Sequence, residues 1–247
     1  MKDIKAMKKR GFSMKIIAGN WKMNGSFQNL QQMIKDLSDI DTQNTVILAV
    51  PYTMLCTDSG KISLSAQDIS AHTHGAYTGE VSASMVASTG AKYTIIGHSE
   101  CRQYHGDTNA SVCTKAELAI SNGLIPIICI GETMEEKQAG KTMEIIESGL
   151  RESVPLNVTS DIIIAYEPRW AIGAGITPTT DEIAHAHELI ANVLSDMGLD
   201  GTPILYGASV KGSNAEQIMS IPHVDGVLVG GASLKSDDFI PIITSVK

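Results

Sequence analysis

Eight short apolar runs recur along the whole chain: Lys15–Ala18, Val46–Val50, Ile62–Ala66, Tyr93–Ile96, Ile125–Ile130, Ile162–Tyr166, Ile204–Tyr206 and Val227–Val229. Most carry apolar residues without alternation, as strands do when both faces of a parallel sheet are covered. Helical patterns fill the gaps. Leu30, Met33, Ile34 and Leu37 recur every three to four residues, and Ile183–Met197 is opened by the capping box Thr179-x-x-Glu182 and closed by Gly198. Strand and helix alternating eight times predict an α/β fold, a (β/α)8 barrel built as a single domain. The linker Pro51–Lys61 is the weakest helical segment and is expected to form about two turns. No Pro/Ser-rich or low-complexity linker divides the chain.

A chain of 247 residues that is 43% hydrophobic can bury a core of the size such a barrel needs. Its net charge of -8, with a pI near 5.3, disfavours nucleic acid and anionic membrane surfaces as partners, because their phosphates would be repelled on average. A small anionic substrate stays open, since one lysine and a few backbone amides can dominate locally. Cys56, Cys101, Cys113 and Cys129 form no CxxC pair, which fits a reducing, cytoplasmic setting. The first residues, MKDIKAMKKRGFSM, are basic but lack the apolar stretch of a secretory signal. Residues 1–13 are therefore expected to be a disordered extension and 14–247 the barrel domain. No segment approaches the length of a membrane span.

In a barrel of this kind the reactive groups collect at the carboxyl ends of the strands. The first run ends in AGNWKMNG, which places Asn20 and Lys22 at the rim. The fourth ends in IIGHSE, with His98, Ser99 and Glu100, and the sixth in AYEP, with Glu167. Singly, each has an ordinary structural reading as a satisfied histidine, a helix-capping glutamate or a solvated lysine. Jointly they bring a carboxylate, an imidazole, an ammonium and an amide to one mouth. Loops seven and eight read YGASVKGSN and VGGAS, so Ser209, Gly230 and Gly231 can offer approachable backbone N–H groups to a phosphate. His72-x-His74 has no third metal ligand spaced for it, and His185 and His187 do not face one another on a helix. Cys129, at the end of the fifth run, is expected to pack rather than to react.

The segments AGNWKMNG, GAYTGEVS, IIGHSE, PIICIGET, AYEPRWAIGAG, YGAS and VLVGGASLK resemble, in order and spacing, the signature blocks of the triosephosphate isomerase family, from Met14 to the C-terminus. The resemblance implies interconversion of dihydroxyacetone phosphate and glyceraldehyde 3-phosphate without cofactor or metal. It implies that Glu167 is the base, that His98 polarises the carbonyl and shuttles protons, that Lys22 balances charge and that Asn20 adds a hydrogen bond. Gly173, Ser209, Gly230 and Gly231 would hold the phosphate, with Glu100 and Cys129 supporting. Pro168 and Trp170 would form one hinge of a lid, Ala171-Ile172-Gly173 its tip, and Ala174-Gly175-Ile176 the other hinge. It also implies a homodimer, in which Thr78 of the partner subunit, on the loop Gln67–Glu80, approaches Asn20 and Glu100. Another phosphosugar isomerase on the same fold, or a scaffold that has lost turnover, are the competing readings.

The chain departs from the family pattern at four places. Gly173-Ala174-Gly175-Ile176 stands where GTGK is common, and Ala208 replaces the second glycine of YGGS. Cys101 replaces an arginine and Asp107 a glutamate, in the blocks GHSECR and HGD. Loss of that arginine is expected to leave Glu80 and Asp107 short of a cation and so to weaken the dimer.

Overall fold

The computed structural model describes residues 14–156, 158, 161–172 and 178–246. Eight parallel strands close on themselves in chain order: β1 (Ile16–Asn20), β2 (Thr45–Ala49), β3 (Ser63–Ala66), β4 (Tyr93–Ile96), β5 (Ile125–Ile130), β6 (Ile163–Tyr166), β7 (Ile204–Tyr206) and β8 (Gly226–Val229). Closure is made by β1 pairing with β8, Ile16 opposite Gly226. A Cβ at Gly226 would sit 2.0 Å from the Ile16 carbonyl oxygen, so glycine is what lets the last strand approach the first.

The strand period sorts the core into two layers. Ile16, Ala18, Ile47, Ala49, Ile95, Ile127, Cys129, Ile163, Ala165, Leu205 and Leu228 fill the barrel interior. The alternate residues, among them Ile17, Leu48, Ile96, Ile128 and Ile164, face outward onto the helices in a second and larger cluster. This explains the unbroken apolar runs, since both faces of each strand are buried. Replacing Ile127 by alanine would leave a cavity in a filled interior and cost about 2–5 kcal/mol.

The helix Thr180–Asp196 begins at the expected capping box: the Thr179 hydroxyl accepts from the Glu182 N–H, and the Glu182 carboxylate accepts from the Thr179 N–H. The helix over Phe27–Ser38 buries Leu30, Met33 and Leu37 on one face. Between β2 and β3 the two expected helical turns are absent. A 3-10 turn, Tyr52–Met54, stands there instead, and Ile62 then leads directly into β3. Pro51 at its start and Ser59-Gly60 behind it leave too few residues for an α-helix. Among the described residues, no helix is long and apolar enough to cross a membrane.

Candidate active site

Asn20 ends β1, and its Oδ1 accepts from the Lys22 N–H at 3.0 Å. That contact holds Lys22 at φ +55, a left-handed conformation that costs roughly 1–2 kcal/mol for a residue with a side chain. The strained backbone aims the lysine across the mouth, where Nζ meets Glu100 Oε1 at 2.7 Å. From the other side its methylene stem passes Gly230, where an added Cβ would lie 3.7 Å from Lys22 Cε. One side chain thus links β1, β4 and the loop after β8.

His98 follows β4 as the N-cap of the short helix Ser99–Tyr104, and its Nδ1 accepts from the Glu100 N–H at 3.1 Å. Its other nitrogen, Nε2, lies 3.0 Å from Glu167 Oε1. Glu167, just past β6 and 2% exposed, also accepts the Ser99 N–H on Oε2 at 3.0 Å. Burial pushes its pKa up, but the adjoining imidazole, the Ser99 N–H and Lys22 outweigh burial and hold it below the ordinary glutamate value. For His98, burial favours the neutral form, while the charge and hydrogen bond of Glu167 more than reverse this and raise its pKa. Hydrogen bonding decides the proton's place: a nitrogen that accepts an N–H carries no proton, so Nδ1 is bare and Nε2–H points at Glu167. The pair is therefore a neutral imidazole against a carboxylate, with the helix N-terminus opposing a cation on His98.

Backbone sterics set this arrangement. Gly131, which follows β5, has φ +152, and a Cβ there would lie 1.8 Å from the Glu167 carbonyl oxygen. The Glu167 backbone can reach its position only against glycine. Beside it, Glu132 is 1% exposed and accepts from Trp170 Nε1 at 2.8 Å and from the Tyr166 hydroxyl at 3.2 Å. The Glu132 carbonyl takes the Arg169 N–H at 3.0 Å. Glu132 thereby fixes the turn Arg169–Ala171 that follows Glu167, and Lys137 Nζ lies 3.2 Å over the Trp170 ring. Sequence reading passed over Glu132, although it stands just past β5 on the same rim inside the quoted block PIICIGET. Its place one glycine beyond a strand end is the signal that could have found it.

On the far side of the mouth, Ser209 is held through its carbonyl by Asn214 Nδ2 at 3.1 Å. Gly230 is held through its carbonyl by the Ser233 N–H and hydroxyl at 2.8 and 2.7 Å. Asn20, Lys22, His98, Glu167, Ser209, Gly230 and Gly231 all line one cavity of about 730 Å³. Pro168, Trp170, Ala171 and Ile172 lead away from Glu167, with Trp170 and Ala171 buried. Gly173, Ala174, Gly175 and Ile176 lie outside the described residues. Cys129 is fully buried in the barrel interior, and burial and the nearby Glu167 push its thiol pKa well up, so it packs beneath Glu167.

Thr78 is exposed at the tip of the loop Gln67–Glu80 and lines neither this cavity nor its neighbour in this chain. In that loop His72 stacks on Tyr77, ring centroids 3.7 Å apart and 5° from parallel, which gives His72 a packing role. One expectation is corrected outright: Asp107 does not lack a cation. Lys115 Nζ reaches both Asp107 oxygens at 2.8 and 3.0 Å and both Asp68 oxygens at 2.8 Å. Lys115 lies six residues beyond the start of the helix Asn109–Ser121, and nothing in its sequence context marks it out.

A closed parallel barrel whose rim joins a buried carboxylate, a neutral imidazole and an ammonium defines the class, an enzyme equipped for acid–base chemistry on a small substrate. A profile described as triosephosphate isomerase matches residues 15–246. The triosephosphate isomerase of Ruegeria sp. is 44% identical over 241 residues, covering 94% of this chain and 98% of the relative. That of Paracidovorax citrulli is 42% identical over 245 residues, covering 94% and 98%. The crystal structure of the enzyme from Bartonella henselae superposes with a TM-score of 0.85 at 36% identity, covering 94% of this chain and 98% of that one. The chain belongs to the triosephosphate isomerase family.

Proposed function

We propose that this chain interconverts dihydroxyacetone phosphate and glyceraldehyde 3-phosphate through an enediolate, with Glu167 moving the proton between the two carbons. The observation that carries the assignment is the His98–Glu167 contact of 3.0 Å beside Lys22, because the reaction needs a base and an oxygen-stabilising donor side by side. A proton next to a carbonyl is too weakly acidic for a carboxylate alone, so charge must be met on the oxygen as it develops. His98 Nε2–H and Lys22 Nζ supply that donor and that charge, and Asn20 adds a hydrogen bond. Both oxygens of Glu167 are engaged, so binding must exchange at least one of these bonds for the substrate. Backbone N–H groups of Ser209, Gly230 and Gly231, which line the cavity, would hold the phosphate, and the family resemblance gives Gly173 the same role. Residues Pro168–Ile176 act as the lid that keeps water from the enediolate, with Trp170 and Glu132 as its fixed end. The reading calls for no cofactor and no metal, and places the enzyme in the cytoplasm.

A homodimer is part of the proposal. A second cavity of about 1000 Å³ adjoins the first and shares Asn20, Lys22, His98 and Glu100 with it. Around it Met23 (97%), Tyr52 (38%) and Tyr104 (72%) are exposed, an apolar rim of the kind that marks a protein contact. The loop Gln67–Glu80 of a second copy fits there, bringing the partner subunit's Thr78 to Asn20 and Glu100. A coupled assay with purified protein, run beside light scattering from micromolar to nanomolar concentration, tests both parts. Isomerase turnover with dimer mass supports them; absence of turnover on triose phosphates removes the first, and a monomer with full activity at every concentration removes the second.

A further inference from the structure

Outside the acid–base pair, one group of side chains has the composition of a metal site. Among the described residues, Asp68, Cys101 and His105 each offer one ligand atom, and these atoms lie within 4.8 Å of one another. Cys101 is in the first turn of the helix Ser99–Tyr104, and His105 caps its end four residues later, so the two share a face. Asp68 reaches them from the loop after β3. A tetrahedral zinc ion, at about 2.3 Å from sulfur and about 2.0–2.1 Å from nitrogen or oxygen, needs donors somewhat closer than this. Exposed His105 has room to swing the remaining distance.

The local charge favours a cation. Asp68 and Asp107 share the single ammonium of Lys115, which leaves one negative charge over at a half-buried place. Lys115 keeps Asp107 and one oxygen of Asp68, and the other Asp68 oxygen has a lone pair to spare.

We infer that Asp68, Cys101 and His105 form a site for one divalent ion of borderline softness, zinc above all. A mixed sulfur, nitrogen and oxygen donor set selects zinc over magnesium or calcium. On binding, the metal–sulfur bond forms as the thiol S–H bond breaks, and the proton leaves to solvent. The fourth ligand is a water at the edge of the cavity of about 1000 Å³, beneath the loop that the proposed second copy lays there.

Cobalt(II) and zinc(II) chlorides are the probes, added to the purified, chelator-treated full chain. One equivalent of cobalt should bind per chain with a thiolate-to-cobalt charge-transfer band, and zinc should displace it. Cys101→Ser should abolish the band. Both Cys101→Ser and His105→Ala should weaken zinc by more than about a hundredfold, since losing even an outer partner of a metal site costs ten- to a hundredfold. Circular dichroism checks each fold, and His105→Ala, on the exposed helix end, keeps the test alive should Cys101→Ser misfold. A band that survives Cys101→Ser assigns the thiolate to another cysteine and overturns the inference. So does wild-type zinc affinity in His105→Ala, or no saturable binding in the parent chain.

Discussion

Two buried clusters of opposite charges stand a few residues apart on the same wall of the barrel, and they are built to different standards. In the Lys115 cluster, one ammonium makes four contacts of 2.8 to 3.0 Å to two aspartates, with the lysine and Asp107 side chains each 7% exposed. The ammonium's hydrogen-bonding capacity is used up. At the mouth, Lys22 makes one contact of 2.7 Å to a half-exposed Glu100, and Glu167 is held by two donors that a substrate can replace. Identical residue types make a strut in one place and a reactive site in the other, and the difference lies in how many bonds remain to be made.

The largest expected effect breaks the reactive cluster alone. Glu167→Gln keeps the shape but turns one accepting oxygen into an NH2 and removes the proton acceptor, so kcat should fall by about three orders of magnitude or more, roughly 4 kcal/mol of barrier, with the circular dichroism unchanged. Retention of a tenth of the parent kcat would show that the proton goes elsewhere. Lys115→Met breaks the strut. It leaves two aspartates facing each other and should cost about 3–5 kcal/mol in urea unfolding while kcat per folded molecule stays within a few-fold. A kcat loss as large as that of Glu167→Gln would erase the distinction between the clusters.

His187 sharpens the comparison as a buried ionisable group kept uncharged. It is fully buried in the helix Thr180–Asp196, its Nδ1–H donates to the His223 carbonyl at 3.1 Å, and burial lowers its pKa to about 4. The unfolded chain, with an ordinary histidine value near 6.5, takes up the proton first as pH falls. The contribution is therefore fully present above about pH 6.5 and is lost as pH falls through about 4, amounting to about 3 kcal/mol. His187→Asn should flatten that slope, whereas the lowered pKa of Glu167 acts only at and below the ordinary carboxylate range. Unfolding titrations at pH 7, 5.5 and 4.5 check it; a slope unchanged in the variant assigns it to other groups.

The smallest effect belongs to the turn Arg169–Ala171 behind Glu167. Trp170→Phe removes the 2.8 Å bond to Glu132 and the better cation-π surface under Lys137, and should cost about 1–2 kcal/mol of stability. Hydrogen exchange in residues 168–172 should rise in the variant. If it does not, Glu132 is anchored by Tyr166 and Arg169 alone.

Sequence made the barrel legible because unbroken apolar runs with helices between them have few alternative packings, and seven of the eight helical connections contain an α-helix. The exception, Pro51–Lys61, failed because composition there permits a helix while the start of β3 cuts it short. Asn20, Lys22, His98, Glu167, Ser209, Gly230 and Gly231 were legible through strand-end position and family likeness, and they do meet in one cavity. Glu132 and Lys115 were not, because a glutamate and a lysine look solvated in sequence until the fold places Trp170 against one and two aspartates against the other. Cys101 and Asp107 were read as a lost charge pair, since local sequence cannot show the cation arriving from a helix eight residues further on.

Proton transfer by Glu167 is the central claim, and isotope exchange tests it most directly. Dihydroxyacetone phosphate is turned over in D2O by the parent chain and by Glu167→Gln, and deuterium at carbon 2 of the glyceraldehyde 3-phosphate is read by NMR. The account predicts solvent deuterium at that carbon with the parent chain and exchange slowed together with kcat in the variant. Product formed by the parent chain with no deuterium at carbon 2, or undiminished exchange in Glu167→Gln, would contradict it.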